Sequence, residues 1–300
     1  MHSYLTTYYV CYRKITKDKV FDDIKCLSHF KKIKNPFFYW AADPFLVTID
    51  NRTFILAELA SKITGKGHIG YCELGNKKCS WKPLYKSKKH LSFPNFVFDK
   101  NKYVGIIETS EDEKVSLFNL NIENTKPESI TVNKILIDDR FVVDSVFNID
   151  NDFLLTYKCD YTNNLFYLTA RKLSHPEIEV NRLNDTKKQY RPAGNILIEN
   201  NTFILPTQDC YNSYGEGINF NYLTFSSDSF SLIPFCKITK EDIMRYTKLK
   251  NIIGCHTYNT DGTYEVIDII RKEHGILCPF NKIYCVLKYI RSRLWKKGSK

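Results

Sequence analysis

The chain has 300 residues, 43% hydrophobic and 14% aromatic, which supports one large domain or two small ones. Its formal net charge of +11 suits an anionic partner (a phosphate, a nucleic acid or a membrane surface) without choosing among them. Ten cysteines with no CxxC pair and no His/Cys cluster at ligand spacing leave no metal centre of that kind. Met1 to Val10 lacks the apolar core of a signal peptide, so a reduced, cytoplasmic chain is expected, with a secreted, disulfide-bonded one as the alternative.

With 20 Tyr and 20 Phe but two Met, the composition favours strands, whose half-buried pleats suit aromatic side chains. In chain order, Tyr8 to Arg13 reads as a first strand. A unit then recurs: an apolar strand opened by polar or Pro residues, a polar turn, and a second strand. It starts at Asp43-Pro44-Phe45, at Pro94-Asn95-Phe96, at Asp144-Ser145-Val146, at Arg191-Pro192-Ala193 and at His256-Thr257-Tyr258. The steps between starts are 51, 50, 47 and 65 residues, a period of propeller blades. The long last step contains Lys237 to Lys250, where Thr239 and Asp242 predict a helix N-cap on Lys240 to Tyr246. From Pro279, Phe280, Ile283, Tyr284, Leu287, Ile290 and Leu294 follow helical spacing beside Trp295, flanked by Lys282, Lys288, Arg291, Arg293, Lys296 and Lys297. Such a basic amphipathic helix fits either a membrane surface, through Pro279 to Lys300, or the flank of the propeller itself.

The expected fold is therefore all-β: a five-bladed β-propeller over residues 1–275, closed by the N-terminal strand, with a small helical insertion and a basic amphipathic tail over 276–300. Blade-initial residues converge on the channel axis at one end, which gathers Asp43, Pro94, Asp144, Arg191 and His256. The ends of the second strands return there and add Glu58, Glu108, Tyr157 with Lys158, Gln208 with Asp209, and Asp268. Convergent acids with an Arg and a His in a polar mouth suit a sugar or a phosphate. Trp40, Phe93, Tyr211 and Tyr214 fall near the same mouth, where each is a stacking platform or core. Gly65 and Gly67 read as turn residues. There is no Walker-type loop, dinucleotide fingerprint or nucleophile elbow, and nothing but charge favours nucleic acid.

The strings Ala42-Asp43-Pro44-Phe45, Gly67-His68-Ile69-Gly70, His90-Leu91-Ser92-Phe93-Pro94, Glu108-Thr109, Arg191-Pro192-Ala193-Gly194, Pro206-Thr207-Gln208-Asp209, Tyr214-Gly215 and His256-Thr257-Tyr258-Asn259 resemble a family. It is the propeller domain at the N-terminus of plant glucosamine inositolphosphorylceramide transferases and their bacterial relatives. The resemblance runs in order from about Trp40 to Asp268 and reaches, more distantly, the propeller glycoside hydrolases of the arabinanase, xylosidase and sucrose-cleaving type. It adds His68, His90 and Tyr214 to the candidate substrate-binding residues. The hydrolase pattern implies a blade-one Asp as base or nucleophile, a blade-three Asp and a blade-four Glu as general acid. Asp43 and Asp144 match the first two, whereas the blade-four string at Arg191 carries no acid, leaving Glu108 or Asp209 as out-of-place substitutes.

A transferase fits these pieces better, since a nucleotide-sugar donor brings its own leaving group and needs cations, for which Arg191, His256 and Lys158 are candidates. Asp43, then Asp144, is the expected base toward an acceptor hydroxyl. The expected partners are a nucleotide sugar and a glycan or lipid-linked acceptor, in surface-glycan synthesis. A divalent cation stays open as cofactor, with no DxD-like pair to hold it. A furanosidase-like hydrolase and a non-catalytic carbohydrate-binding propeller remain as alternatives.

Overall fold

The structure, a computed structural model, describes residues 4–15, 27–75, 79–99, 102–109, 116–122, 128–131, 143–149, 153–159, 165–171, 177–182, 191–199, 202–225, 230–247 and 249–298. Between 123 and 190 it describes the strands' backbone and no side chains.

The chain opens with β1 (Leu5–Lys14) and the short β2 (Lys31–Lys32). Four sheets follow in chain order, each with four antiparallel strands in simple succession. The first contains β3 (Tyr39–Ile49), β4 (Arg52–Ser61), β5 (Gly67–Glu73) and β6 (Lys82–Tyr85). The second contains β7 (Ser92–Asp99), β8 (Lys102–Glu108), β9 (Ser116–Asn119) and β10 (Glu128–Thr131). The third contains β11 (Val143–Ile149), β12 (Phe153–Cys159), β13 (Leu165–Arg171) and β14 (Glu177–Arg182). The fourth contains β15 (Leu197–Glu199), β16 (Thr202–Asp209), β17 (Gly217–Phe225) and β18 (Phe230–Thr239). Helix α1 (Lys240–Thr247) leads to β19 (Ile252–Gly254), β20 (Tyr258–Thr260) and β21 (Tyr264–Glu273), and α2 (Cys278–Gly298) ends the chain.

The expectation of five like repeats needs a correction at the last one. Four sheets repeat the four-stranded unit, while the fifth is a composite in which β19 and β20 pair β21, β21 pairs β1 and β1 pairs β2. β1 lies against β21 over ten positions, Leu5 opposite Glu273 and Lys14 opposite Tyr264, so strands from the two ends of the chain share one sheet and leave β21 no open edge. The inner strand of this sheet is broken between Gly254 and Tyr258 because the backbone N–H groups of His256 and Thr257 donate to the Asp268 carboxylate, at 2.9 and 3.0 Å, instead of to a neighbouring strand.

The sheets pack face to face. In β4, Ile55, Ala57 and Leu59 pack with Val10 and Val266 of the composite sheet, while Phe54 and Leu56 pack with Leu91, Phe96 and Ile107 of the second sheet. Odd and even positions of one strand thus serve different neighbours, so the run Phe54 to Ala60 is apolar but for Glu58 and buried throughout. The fourth sheet meets the composite sheet likewise, with Phe220 edge-on to Tyr258 and Ile243 of α1 sealing the rim. The expected cap on α1 is present: Asp242 accepts from the N–H and hydroxyl of Thr239, whose hydroxyl accepts from the Asp242 N–H. Eight described cysteines are free thiols.

The inner strands share a defect that positions the site. Their pairing slips between Ala42 and Phe45, between Ser92 and Asn95, and between Val143 and Ser145. Pro44 and Pro94 fall in two of these bulges, where a residue with no N–H to pair costs the ladder least. The bulges lift Asp43 and Asp144 out of register at equivalent places; the Asp144 and Lys158 side chains lie outside the described residues.

Candidate functional site

The site is built around Asp268, which stands near the middle of β21 and is wholly buried. Its Oδ1 accepts the two N–H groups just named. Its Oδ2 accepts the Asp43 N–H at 3.0 Å and lies 2.6 Å from His256 Nδ1. All four interactions point inward, so Asp268, expected to touch substrate, instead positions the two residues above it. Asp43 needs that anchor, since its φ of 50° lies in the left-handed region that a non-glycine residue avoids.

Asp43 and His256 form the layer nearer the mouth. The Thr257 hydroxyl donates to Asp43 Oδ1 at 2.9 Å, and His256 Nε2 lies 3.6 Å from the same oxygen. Burial opposes a charge on His256, but Asp268 and Asp43 outweigh it and raise the imidazole above its ordinary value. The site therefore favours the charged form of the imidazole between Asp43 and Asp268. Tyr8 stacks at a tilt on His256 at 5.0 Å and on Trp40 at 4.5 Å, and Tyr214 meets the other side of the imidazole edge-on at 5.5 Å.

Glu58 is the second buried acid. Burial first, then the charges of Asp43 and Glu108, raise its carboxyl well above the ordinary range. The fold thus favours the protonated form of Glu58. The second-sheet loop supplies His90, whose Nδ1 accepts the Gly67 N–H at 3.0 Å, so its proton sits on Nε2, 3.4 Å from Glu58 Oε1. That oxygen is buried and makes no hydrogen bond among the described residues. Across the mouth, Arg191 approaches Glu108 at 3.9 Å and stacks over the Tyr214 ring at 5.2 Å.

Thus Asp43, Glu58, His90, Glu108, Arg191, Tyr214, His256 and Asp268 come together as expected from the sequence, and three candidates do not join them. His68 is edge-on to Tyr39 at 5.0 Å, and burial followed by Lys86 lowers its pKa. Asp209 is paired with Lys237 and accepts the Tyr211 N–H. Gln208 is buried with its amide on the Pro192 carbonyl, where it staples the Arg191 segment. Phe93 is core against Phe45, and Tyr211 is 86% exposed. Tyr8 and Thr257 were missed as site residues: the sequence places β1 in the last blade but does not show which of its side chains turns toward the mouth. Gly67 was misread as a turn residue. A Cβ there would stand 2.3 Å from Glu58 Oε1 and 2.6 Å from the Leu91 carbonyl, so the glycine makes room for the acid. Gly67→Ala is expected to push Glu58 aside, lowering turnover by at least about tenfold with a stability loss of roughly 1–3 kcal/mol, readable from kinetics and a melting curve.

Oxygen and nitrogen atoms of Asp43, His256 and Asp268 lie within 4.8 Å of one another, near enough to share a cation. Yet Asp268 already accepts from three N–H groups and holds His256 Nδ1, so a metal would have to break that network. The donor set fits an organising cluster rather than an ion site.

Against known proteins, a family model described as "Glucosamine inositolphosphorylceramide transferase 1, N-terminal" matches residues 24–245. No curated protein is a significant match. Similar solved structures include a thermostable family-43 glycoside hydrolase (11% identity, TM-score 0.55, 80% of this chain and 90% of that one). A β-fructofuranosidase of family GH32 from Bombyx mori is similar at 11% identity and TM-score 0.53, over 77% of this chain and 55% of that one. An α-L-arabinofuranosidase from Lactobacillus brevis is similar at 11% identity and TM-score 0.52, over 80% and 92%. At such identities the likeness is one of fold.

Proposed function

The chain belongs to the family of the N-terminal domain of glucosamine inositolphosphorylceramide transferase 1, and from that premise we propose that it is a carbohydrate-active enzyme that transfers a sugar from a nucleotide-sugar donor to a glycan or lipid-linked acceptor. The observation that carries the reading is the Asp43–Glu58 pair. Hydrolysis by two carboxyls needs them on opposite sides of the scissile bond, about 5–10 Å apart. Asp43 and Glu58 instead share one buried pocket, close enough for the charge of Asp43 to raise Glu58, and do not flank a bond in that way. They suit a different task, in which Asp43 takes the proton of an acceptor hydroxyl as its oxygen bonds to the anomeric carbon. The nucleoside diphosphate leaves with the electron pair of the broken bond, so no acid is required on that side. Arg191, part-exposed and braced by Tyr214, is placed to meet its charge through a bidentate fork. Trp40, backed by Tyr8, offers a ring face to the sugar. Nucleotide sugars are cytoplasmic compounds, so the reading carries a cytoplasmic location with it.

A thermal-shift panel of nucleotide sugars is the direct test. A donor at about 100 times its Kd should add roughly 2.7 kcal/mol, several degrees in melting temperature, and Arg191→Ala should lose most of that shift. Stabilisation or cleavage with arabinan or xylan fragments alone would replace transfer by hydrolysis. A donor that binds wild type and Asp43→Asn equally, with no turnover by either, would leave a binding module.

A further inference from the structure

Helix α2 is anchored to the rest of the molecule at its root. Leu277 and Cys278 are buried, and the Asn281 side chain donates to the Ile63 carbonyl at 2.9 Å. Beyond Tyr284, every residue described through Arg291 is exposed. Of the stripe read from the sequence, Tyr284 is half-buried and Leu294 lies outside the described side chains, while Phe280, Ile283, Leu287 and Ile290, with Val286 beside them, are each 48–60% exposed. After Glu273 the chain carries no acidic residue, while Lys282, Lys288, Arg291, Arg293, Lys296, Lys297 and Lys300 follow.

The root sits at the site end of the propeller. Ile63 belongs to the turn after β4, just beyond Glu58. In the same turn the Lys62 N–H donates to the Phe38 carbonyl at 2.8 Å, and Phe37 and Phe38 are more than half exposed. Ile276, before the helix, and Tyr211, in the loop after β16, are exposed on the same end.

We propose that α2 and this apolar rim dock the protein onto an anionic lipid bilayer, with the mouth of the site turned toward the membrane. An apolar helical face with cationic residues around it lies in the headgroup region, apolar side down and charges on the phosphates. Charge selects this occupant over a second copy of the chain, since two such tails in contact would oppose like charges with no acid to relieve them. No described helix is long and apolar enough to cross a membrane, so α2 lies on the surface. The inference deepens the acceptor side of the proposed function, which it specifies as lipid-linked; the docking itself does not depend on that function.

The test is co-sedimentation of the full chain with phosphatidylcholine vesicles, with and without phosphatidylglycerol. Binding is expected with the anionic vesicles and is expected to weaken as salt rises. Ile283→Asp with Leu287→Asp, and separately Lys288→Glu with Arg291→Glu, should each lower vesicle affinity about tenfold or more at an unchanged melting temperature. Phe37→Ser with Phe38→Ser should lower it less, and Ile198→Ser, exposed near the opposite end, not at all. Docking is overturned if the chain pellets with neither vesicle, if the α2 variants bind like wild type, or if they act only by turning a dimer into a monomer in sedimentation velocity. Catalysis is not read here, so loss of the docking proposal leaves sugar transfer standing, and an inactive chain that still binds vesicles leaves docking standing.

Discussion

Glu58→Gln is expected to melt at a higher temperature than wild type above about pH 5 while losing roughly a hundredfold or more in turnover. The native fold holds Glu58 protonated, because burial and the neighbouring carboxylates Asp43 and Glu108 raise it well above the ordinary 4.5. An acid raised in the native state stabilises the fold fully below its unfolded pKa and progressively less above it. Between the two values the unfolded chain releases a proton that the native chain keeps, and stability falls by about 1.4 kcal/mol per pH unit. Glutamine cannot titrate, and it keeps the size and polarity of the protonated acid. The two melting curves should meet near pH 4.5 and part as pH rises, with the variant above. Turnover should fail because an amide cannot exchange a proton with Asp43. Parallel curves between pH 4 and 9 would mean that Glu58 is ionised in the fold.

That pairing shows what a sequence can and cannot disclose. The period near 50 residues placed Asp43, Glu58, Glu108, Arg191, His256 and Asp268 at one end of one axis, because equivalent positions in repeated strands converge by geometry. Chain order also gave the N-terminal strand its partner. The repeat could not say which groups spend their hydrogen bonds on one another. Asp268 and Glu58 occupy similar places in second strands, yet one is saturated by backbone donors and the other keeps an oxygen without a hydrogen bond among the described residues. Asp209 matches them as well, but Lys237, reached from β18, takes its charge. A partner two strands away is set by register and bulges, which a single sequence leaves free. The exposure of α2 was equally out of reach. An apolar stripe predicts that something covers it, and only the exposure of Phe280, Ile283, Leu287 and Ile290 shows that the propeller leaves these residues open.

Asp268→Asn is expected to cost about 3–5 kcal/mol, roughly ten degrees or more in melting temperature, although it changes one atom far from any ligand. The asparagine oxygen can still accept from the His256 and Thr257 N–H groups. Its amide nitrogen would then face the Asp43 N–H and His256 Nδ1–H, two donors that the carboxylate now satisfies. The Asp43 backbone, held at positive φ, loses its anchor, and the imidazolium loses the stronger of its two counter-charges. The pH dependence separates this from a packing defect. His256 is raised in the native state, so its stabilisation is complete below the ordinary 6.5 and is lost as pH rises through the raised value. In the variant that stabilisation is gone and a buried neutral His256 must compete with an unfolded chain that protonates freely below pH 6.5. The gap between wild type and variant should therefore be widest on the acidic side of 6.5 and narrow toward alkaline pH. Adding His256→Gln should cost the Asp268→Asn variant far less than it costs wild type, since the two side chains act as one unit. A gap that is flat with pH, together with additive losses, would mean that Asp268 merely fills space.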